Sequence, residues 1–148
     1  MELIIKVIPP LVLGSMLFFS IAIAPKIFTV LPNEEAGKFV RSVFPTYYVY
    51  NGIQYLILTI LMIYLGKTGN ILYLSVLILL LFILSNYVLM PQINKSRDVN
   101  NQKRFKFLHL LSVVFNFVII ISSIILILIL NWWFIFSYWN FSISLRNF

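Results

Sequence analysis

Residues 107–130 read FLHLLSVVFNFVIIISSIILILIL, 24 positions without a charge, and the charge-free run that contains them extends to residue 145. A helix needs roughly 20 mainly apolar residues to cross about 30 Å of hydrocarbon. Three further charge-free runs precede it, at 7–25, 42–66 and 68–94, so the runs in chain order are 19, 25, 27 and 39 residues long. With 148 residues in all, little remains for a soluble catalytic domain. The pattern predicts an all-α fold: one integral membrane domain over 1–148, a four-helix bundle with spans at about 11–31, 47–65, 71–90 and 107–130.

Composition points the same way. Hydrophobic residues make up 61% of the chain and charged residues 10%, against about 45–50% and about 25% in soluble domains. Cysteine is absent, which removes disulfides, thiolate metal sites and cysteine nucleophiles. The net charge of +7 does not imply nucleic acid, because the basic residues sit at the ends of apolar runs, where they orient a membrane protein.

The connections can be read one by one. Ala22-Ile23-Ala24 has the small-residue pattern of a signal cleavage site, but Lys6 is the one basic residue before the apolar run and Pro25 would follow the cut. The segment is therefore expected to remain as the first span, with Pro9-Pro10 in its opening turn and a kink at Pro25. Residues 33–44 carry Ala36, Phe39, Val40, Val43 and Phe44 on one helical stripe, with Asn33 as N-cap and Glu34 and Glu35 in the first turn. This predicts a short amphipathic interfacial helix between spans 1 and 2, ended by Pro45. Gly66-Lys67-Thr68-Gly69-Asn70 is a tight turn that makes spans 2 and 3 antiparallel neighbours, and Pro91 is expected to end span 3. The tail 131–148, with Trp132, Trp133, Tyr138 and Trp139, suits an aromatic interfacial belt.

Orientation follows from counting Lys and Arg. The segments joining spans 1–2 and 3–4 hold Lys26, Lys38, Arg41, Lys95, Arg97, Lys103, Arg104 and Lys106, whereas the opposite side holds Lys6, Lys67 and Arg146. Both termini should face away from the cytoplasm. Heavy use of Ile, Leu, Phe, Asn and Lys suggests an AT-rich genome and a bacterial inner membrane, with an organellar membrane as the alternative.

Polar groups within the spans are where function is sought, since each needs a partner or a wet cavity in hydrocarbon. His109, Ser112, Asn116 and Ser123 share one arc of span 4, and Tyr47, Asn51 and Gln54 share one arc of span 2. With Lys26 and Asn86 they form a candidate polar pocket: Lys26, Tyr47, Asn51, Gln54, Asn86, His109, Ser112 and Asn116. Ordinary interhelical hydrogen bonding, worth roughly 0.6 kcal/mol per bond, is the favoured reading of these groups, and the pocket is the functional alternative. The cluster Lys95, Arg97, Lys103, Arg104 and Lys106 is a candidate surface for anionic lipid or an acidic partner, besides its topological role. His109, the one histidine, has no partner ligands and is better read as a capping or packing group than as a metal ligand, and Met16, Met62 and Met90 are better read as apolar filler than as a Cu(I) site. No cofactor, metal or catalytic constellation is expected.

The order of several short strings carries a resemblance. Gly14-Ser15-Met16-Leu17-Phe18-Phe19, Ala24-Pro25-Lys26-Ile27-Phe28 and Leu31-Pro32 come first, followed by Ala36-Gly37 and Phe44-Pro45-Thr46-Tyr47-Tyr48. Met90-Pro91-Gln92-Ile93 and Leu108-His109 with Ser112 and Asn116 complete the set. Over about 11–130 the chain resembles the transmembrane-protein-205-like family (domain of unknown function 4149), which implies four helices packed as one membrane domain without an assigned activity. A more distant likeness is to the membrane domain of copper-resistance D proteins, whose additional histidines this chain lacks. The expected function is that of a non-enzymatic accessory or assembly subunit, or a homo-oligomer, in contact with membrane lipids. The alternative is transport of a small solute or metal ion.

Overall fold

The computed structural model describes the backbone of residues 1–146 and the side chains of residues 1–131. Among these, four long helices account for nearly all of the chain: α1 (Glu2–Val30), α2 (Asn33–Tyr64), α3 (Asn70–Asp98) and α4 (Gln102–Arg146). Three are long and apolar enough to cross a membrane: α1, α3 and the part of α4 over Gln102–Asn131. α2 is long enough, but Asn51, Gln54, Thr59 and its tyrosines dilute its apolar character. The side chains of the aromatic tail lie outside the described residues.

Sequence neighbours pack side by side, α1 on α2, α2 on α3 and α3 on α4, and α4 returns against the first half of α1. Each helix gives a stripe to one shared core. Val12 and Met16 of α1, Tyr55, Leu58 and Met62 of α2, Ile78 and Phe82 of α3, and Ile119 and Leu126 of α4 are fully buried.

The prolines behave differently from the sequence reading, and the differences have one cause. α1 begins at Glu2, not near residue 11, and Pro9 and Pro10 lie inside it. The buried stripe Ile5, Ile8, Pro9, Val12 and Met16 runs straight through the pair. There is no separate interfacial helix over 33–44. α2 continues unbroken through Pro45, carrying one buried face from Ala36 and Gly37 through Tyr48 and Asn51 to Met62. Pro91 does not end α3 either, since the helix runs on to Asp98.

Pro25 and Pro91 are each preceded by one π-helical turn, Phe19–Ile23 and Ser85–Leu89. In both turns the N–H of the residue before the proline donates five residues back, Ala24 to the Phe19 carbonyl and Met90 to the Ser85 carbonyl. The wider turn makes room for a ring that would otherwise strike the carbonyl four residues earlier. Pro32 is the proline that does break the helix. Leu31 before it is extended, with φ −97° and ψ 143°, as a residue preceding proline prefers.

The turn between α2 and α3 is as expected. Gly66 has φ 64° and Gly69 has φ 74° with ψ −148°. The Gly69 conformation is nearly closed to side chains, so Gly69→Ala should cost about 2 kcal/mol. Reversible unfolding in mixed detergent micelles measures it, and an unchanged midpoint would show that the turn can relax.

Candidate functional site

The π turn at Phe19–Ile23 sets the geometry of the main cavity. Up to Phe18, α1 packs against both α2 and α4. Beyond it, neither the π turn nor Ala24–Val30 approaches α4, and only the backbone of Ala24–Val30 approaches α2. The gap is a cleft of about 920 Å³ between the C-terminal half of α1 and the N-terminal half of α4, with α2 and α3 behind it.

Its walls are mainly apolar, with Leu17, Ile21, Phe28, Phe117 and Ile120 facing it. Phe19, Phe44, Tyr47 and Tyr48 form an aromatic group at its back, Phe19 lying 5.3 Å from Phe44 and 5.0 Å from Tyr47 between ring centroids. On α4, His109 stacks parallel on Phe105 at 5.9 Å, and the Ser112 hydroxyl donates to the His109 carbonyl at 2.7 Å. Deeper in, Tyr48 and Asn116 both line the cleft, and the Asn116 side-chain oxygen is buried without a partner.

The rim is cationic. Arg41 and Arg97 line it with Asn33, Asn94 and Gln102. Arg41 is ion-paired with Asp98, and its guanidinium also donates to the Asn94 carbonyl. Arg97 donates to the Asn33 carbonyl at 3.2 Å and lies flat over Gly37, where a Cβ would fall 2.4 Å from its Nη1. Glycine at 37 is therefore what lets the guanidinium rest on α2. Of the other members of the basic cluster, Arg104 donates to Gln92 Oε1, while Lys95, Lys103 and Lys106 are exposed and do not line the cleft.

Below the cleft the helices close together through hydroxyls and one amide. Ser15 donates to Asn51 Oδ1 at 2.8 Å, and Asn51 Nδ2 donates to the Tyr47 carbonyl at 2.8 Å. The Tyr55 and Ser123 hydroxyls meet at 2.8 Å, and those of Thr59 and Ser75 at 2.7 Å. These pairs join α2 to α1, α4 and α3 in turn.

The sequence-derived pocket thus divides. Tyr47, His109, Ser112 and Asn116 face the cleft. Asn51 is a packing group one layer below, and Lys26, Gln54 and Asn86 do not line the cleft. Lys26 is exposed, Asn86 sits within the second π turn, and Gln54 donates to the Tyr50 carbonyl with its oxygen buried and unpartnered. Arg41, Gly37, Asn33 and Asn94 were missing from the sequence-derived set. Their convergence joins positions more than fifty residues apart, which no local spacing signals. Among the described residues, no three of His, Asp and Glu converge as a metal site would require.

Fold and cleft define an all-helical protein with membrane-spanning helices and a side-opening cavity under a basic rim. The chain belongs to the family described as a domain of unknown function, DUF4149, whose model matches residues 10–102. It is also similar to an uncharacterized protein of Aquifex aeolicus (strain VF5), 34% identical over 120 residues that cover 80% of this chain and 86% of that one. No solved structure matches it.

Proposed function

We propose that this chain is a non-enzymatic integral membrane protein, a four-helix bundle that crosses the bilayer four times and serves as an accessory or assembly subunit of a membrane complex or homo-oligomer. The observation that carries this reading is the inverted character of α2. Its polar groups Asn51, Tyr55 and Thr59 turn inward to partners on the other three helices, while Ile53, Leu56, Ile57, Ile60 and Ile63 are exposed. A helix in water would reverse this arrangement; one in lipid needs it. The short link through Gly66 and Gly69 ties α2 antiparallel to α3, so a crossing by one carries the other across.

At about 1.5 Å per residue, 32-residue α2 is about 48 Å long, more than the hydrocarbon thickness. Its first turns, with Lys38 and Arg41, would then stand among the headgroups. The count of basic residues supports both termini being non-cytoplasmic, and the heavy use of Ile, Leu, Phe, Asn and Lys supports a bacterial inner membrane. The likeness to the transmembrane-protein-205-like proteins, carried by the ordered strings around Pro25, Pro45 and Pro91, fits the same picture.

A binding role is favoured over a conduit because the fully buried layer of Tyr55, Leu58, Phe82 and Ile119 lies beneath the cleft. Crosslinking in native membranes followed by mild detergent extraction tests the subunit reading. A defined oligomer or a recurrent partner supports it, and a monomer at every protein-to-detergent ratio opposes it. The second reading is transport of a small solute or metal ion, for which the cleft would be the entry and the layer below it a gate. Flux in proteoliposomes that is lost in both His109→Ala and Asn116→Ala would favour that reading.

A further inference from the structure

Three features of the cleft converge on one kind of ligand. The first is its opening. Because the C-terminal half of α1 leaves α4, the cavity is open sideways between two helices instead of only at the end of the bundle. On α4 its lining runs from Gln102 to Ile120, about 27 Å at about 1.5 Å per residue. That reaches from the headgroup zone past the middle of a hydrocarbon layer about 30 Å thick.

The second is charge. Among the described residues no carboxylate lines the cleft, while two guanidinium groups do. The Arg41 charge is answered by Asp98. Arg97 has no ion-pair partner among the described residues, and its guanidinium is held in place by the Asn33 carbonyl and the bare backbone at Gly37. A seated guanidinium without a counter-charge, flanked by the Asn94 and Gln102 amides, matches a phosphate in geometry and sign.

The third is the gradient of polarity. Below the arginines the walls become apolar, with Ile21, Phe28, Phe117 and Ile120 along the path. A free phosphate would leave these walls unused, and an uncharged lipid would leave Arg97 unanswered.

We propose that the cleft binds one membrane lipid with a net-anionic phosphate headgroup, its phosphate against Arg97 and an acyl chain lying between α1 and α4. The proposal rests on the reading that these helices lie in a bilayer. It adds a ligand class to the binding role. Lys95, Lys103, Arg104 and Lys106, near the rim residues Asn94, Arg97 and Gln102 in sequence, add positive charge at this end of the bundle, which favours phosphatidylglycerol over phosphatidylcholine.

Native mass spectrometry of the full chain in a mild detergent, titrated with dioleoyl phosphatidylglycerol or dioleoyl phosphatidylcholine, tests this. The expected result is one retained phosphatidylglycerol, bound about tenfold more tightly than phosphatidylcholine, the effect of one strong charge-assisted contact. Arg97→Gln should remove most of that preference, and Arg97→Lys should keep part of it. Gly37→Ala, which retains every charge but displaces the guanidinium, should weaken phosphatidylglycerol binding severalfold. Val113→Trp, filling the cleft, should lower retention of both lipids, with circular dichroism confirming the fold. Equal binding of the two lipids, an Arg97→Gln variant that behaves as wild type, or displacement by millimolar glycerol 3-phosphate would each overturn the proposal. The same spectra report the protein's oligomeric state. A monomer that keeps its lipid preference counts against the subunit reading alone, and an oligomer without one counts against the lipid site alone.

Discussion

Leu80→Asp, at a half-exposed site on α3, is expected to cost about 3 kcal/mol, more than emptying the fully buried Phe82 site two residues away. On the surface of a water-soluble protein the first change would be nearly neutral, within about 0.5 kcal/mol. Leu80 faces outward near the middle of α3, so a carboxylate there meets hydrocarbon. Phe82 is different: it packs between Tyr48 and Tyr55, with ring centroids 6.5 Å and 6.0 Å away. In a soluble core Phe→Ala removes about 3–5 kcal/mol, of which a large share is transfer from water. Here the separated helix would keep its phenylalanine in lipid, so mainly the lost packing and ring contacts remain, about 2 kcal/mol. Reversible unfolding in bicelles, monitored for both variants, gives the order directly. Phe82→Ala proving the more damaging of the two would mean that water, not lipid, surrounds α3.

The same change of solvent explains which elements could be read from sequence. The apolar cores of 47–65, 71–90 and 107–130 and the turn at Gly66 and Gly69 all appear where hydrophobic runs and glycines place them. The starts of α1 and α2 and the end of α3 lie elsewhere, because prolines were given the weight they carry in water. In hydrocarbon, leaving the helix exposes several backbone N–H and C=O groups with nothing to bond, a larger cost than one missing bond or one π turn. Pro9, Pro10 and Pro45 are therefore absorbed, and Pro25 and Pro91 are accommodated by a π turn. Pro32 breaks the chain at the edge of the apolar zone, where water can satisfy the freed groups.

For the site, helical periodicity identified the inward arcs but not depth along them. Tyr47 and Asn51 share a face, yet Tyr47 reaches the cleft while Asn51 is already occupied by Ser15. Ser15 and Tyr55 gave no warning, since hydroxyls are common in apolar helices. Arg97 was legible as a charge near a membrane edge. That it folds back over Gly37 depends on two helices meeting, and the π turn that opens the cleft shows in the sequence only as Pro25, not as a cavity.

Replacing Lys95, Arg97, Lys103, Arg104 and Lys106 together by glutamine is expected to convert a single membrane orientation into a mixed one. The change leaves Lys26, Lys38 and Arg41 on one side against Lys6, Lys67 and Arg146 on the other, so the counts become equal. Basic residues near the ends of apolar segments set orientation through their cost of translocation, and acids contribute little. Asp98 therefore does not alter the balance, even though its ion pair with Arg41 remains intact. The absence of cysteine allows clean labelling. Thr68→Cys lies in the α2–α3 turn and Val99→Cys in the α3–α4 turn, at opposite ends of α3. With the native charges, a membrane-impermeant maleimide applied to intact cells should label position 68 and spare 99. In the five-glutamine variant both positions should label in part, in comparable fractions. Labelling that stayed confined to 68 would show that the folded bundle, and not the count of charges, fixes which way the protein faces. Labelling confined to 99 in the native background would reverse the orientation, and would put the basic rim of the cleft on the outer leaflet.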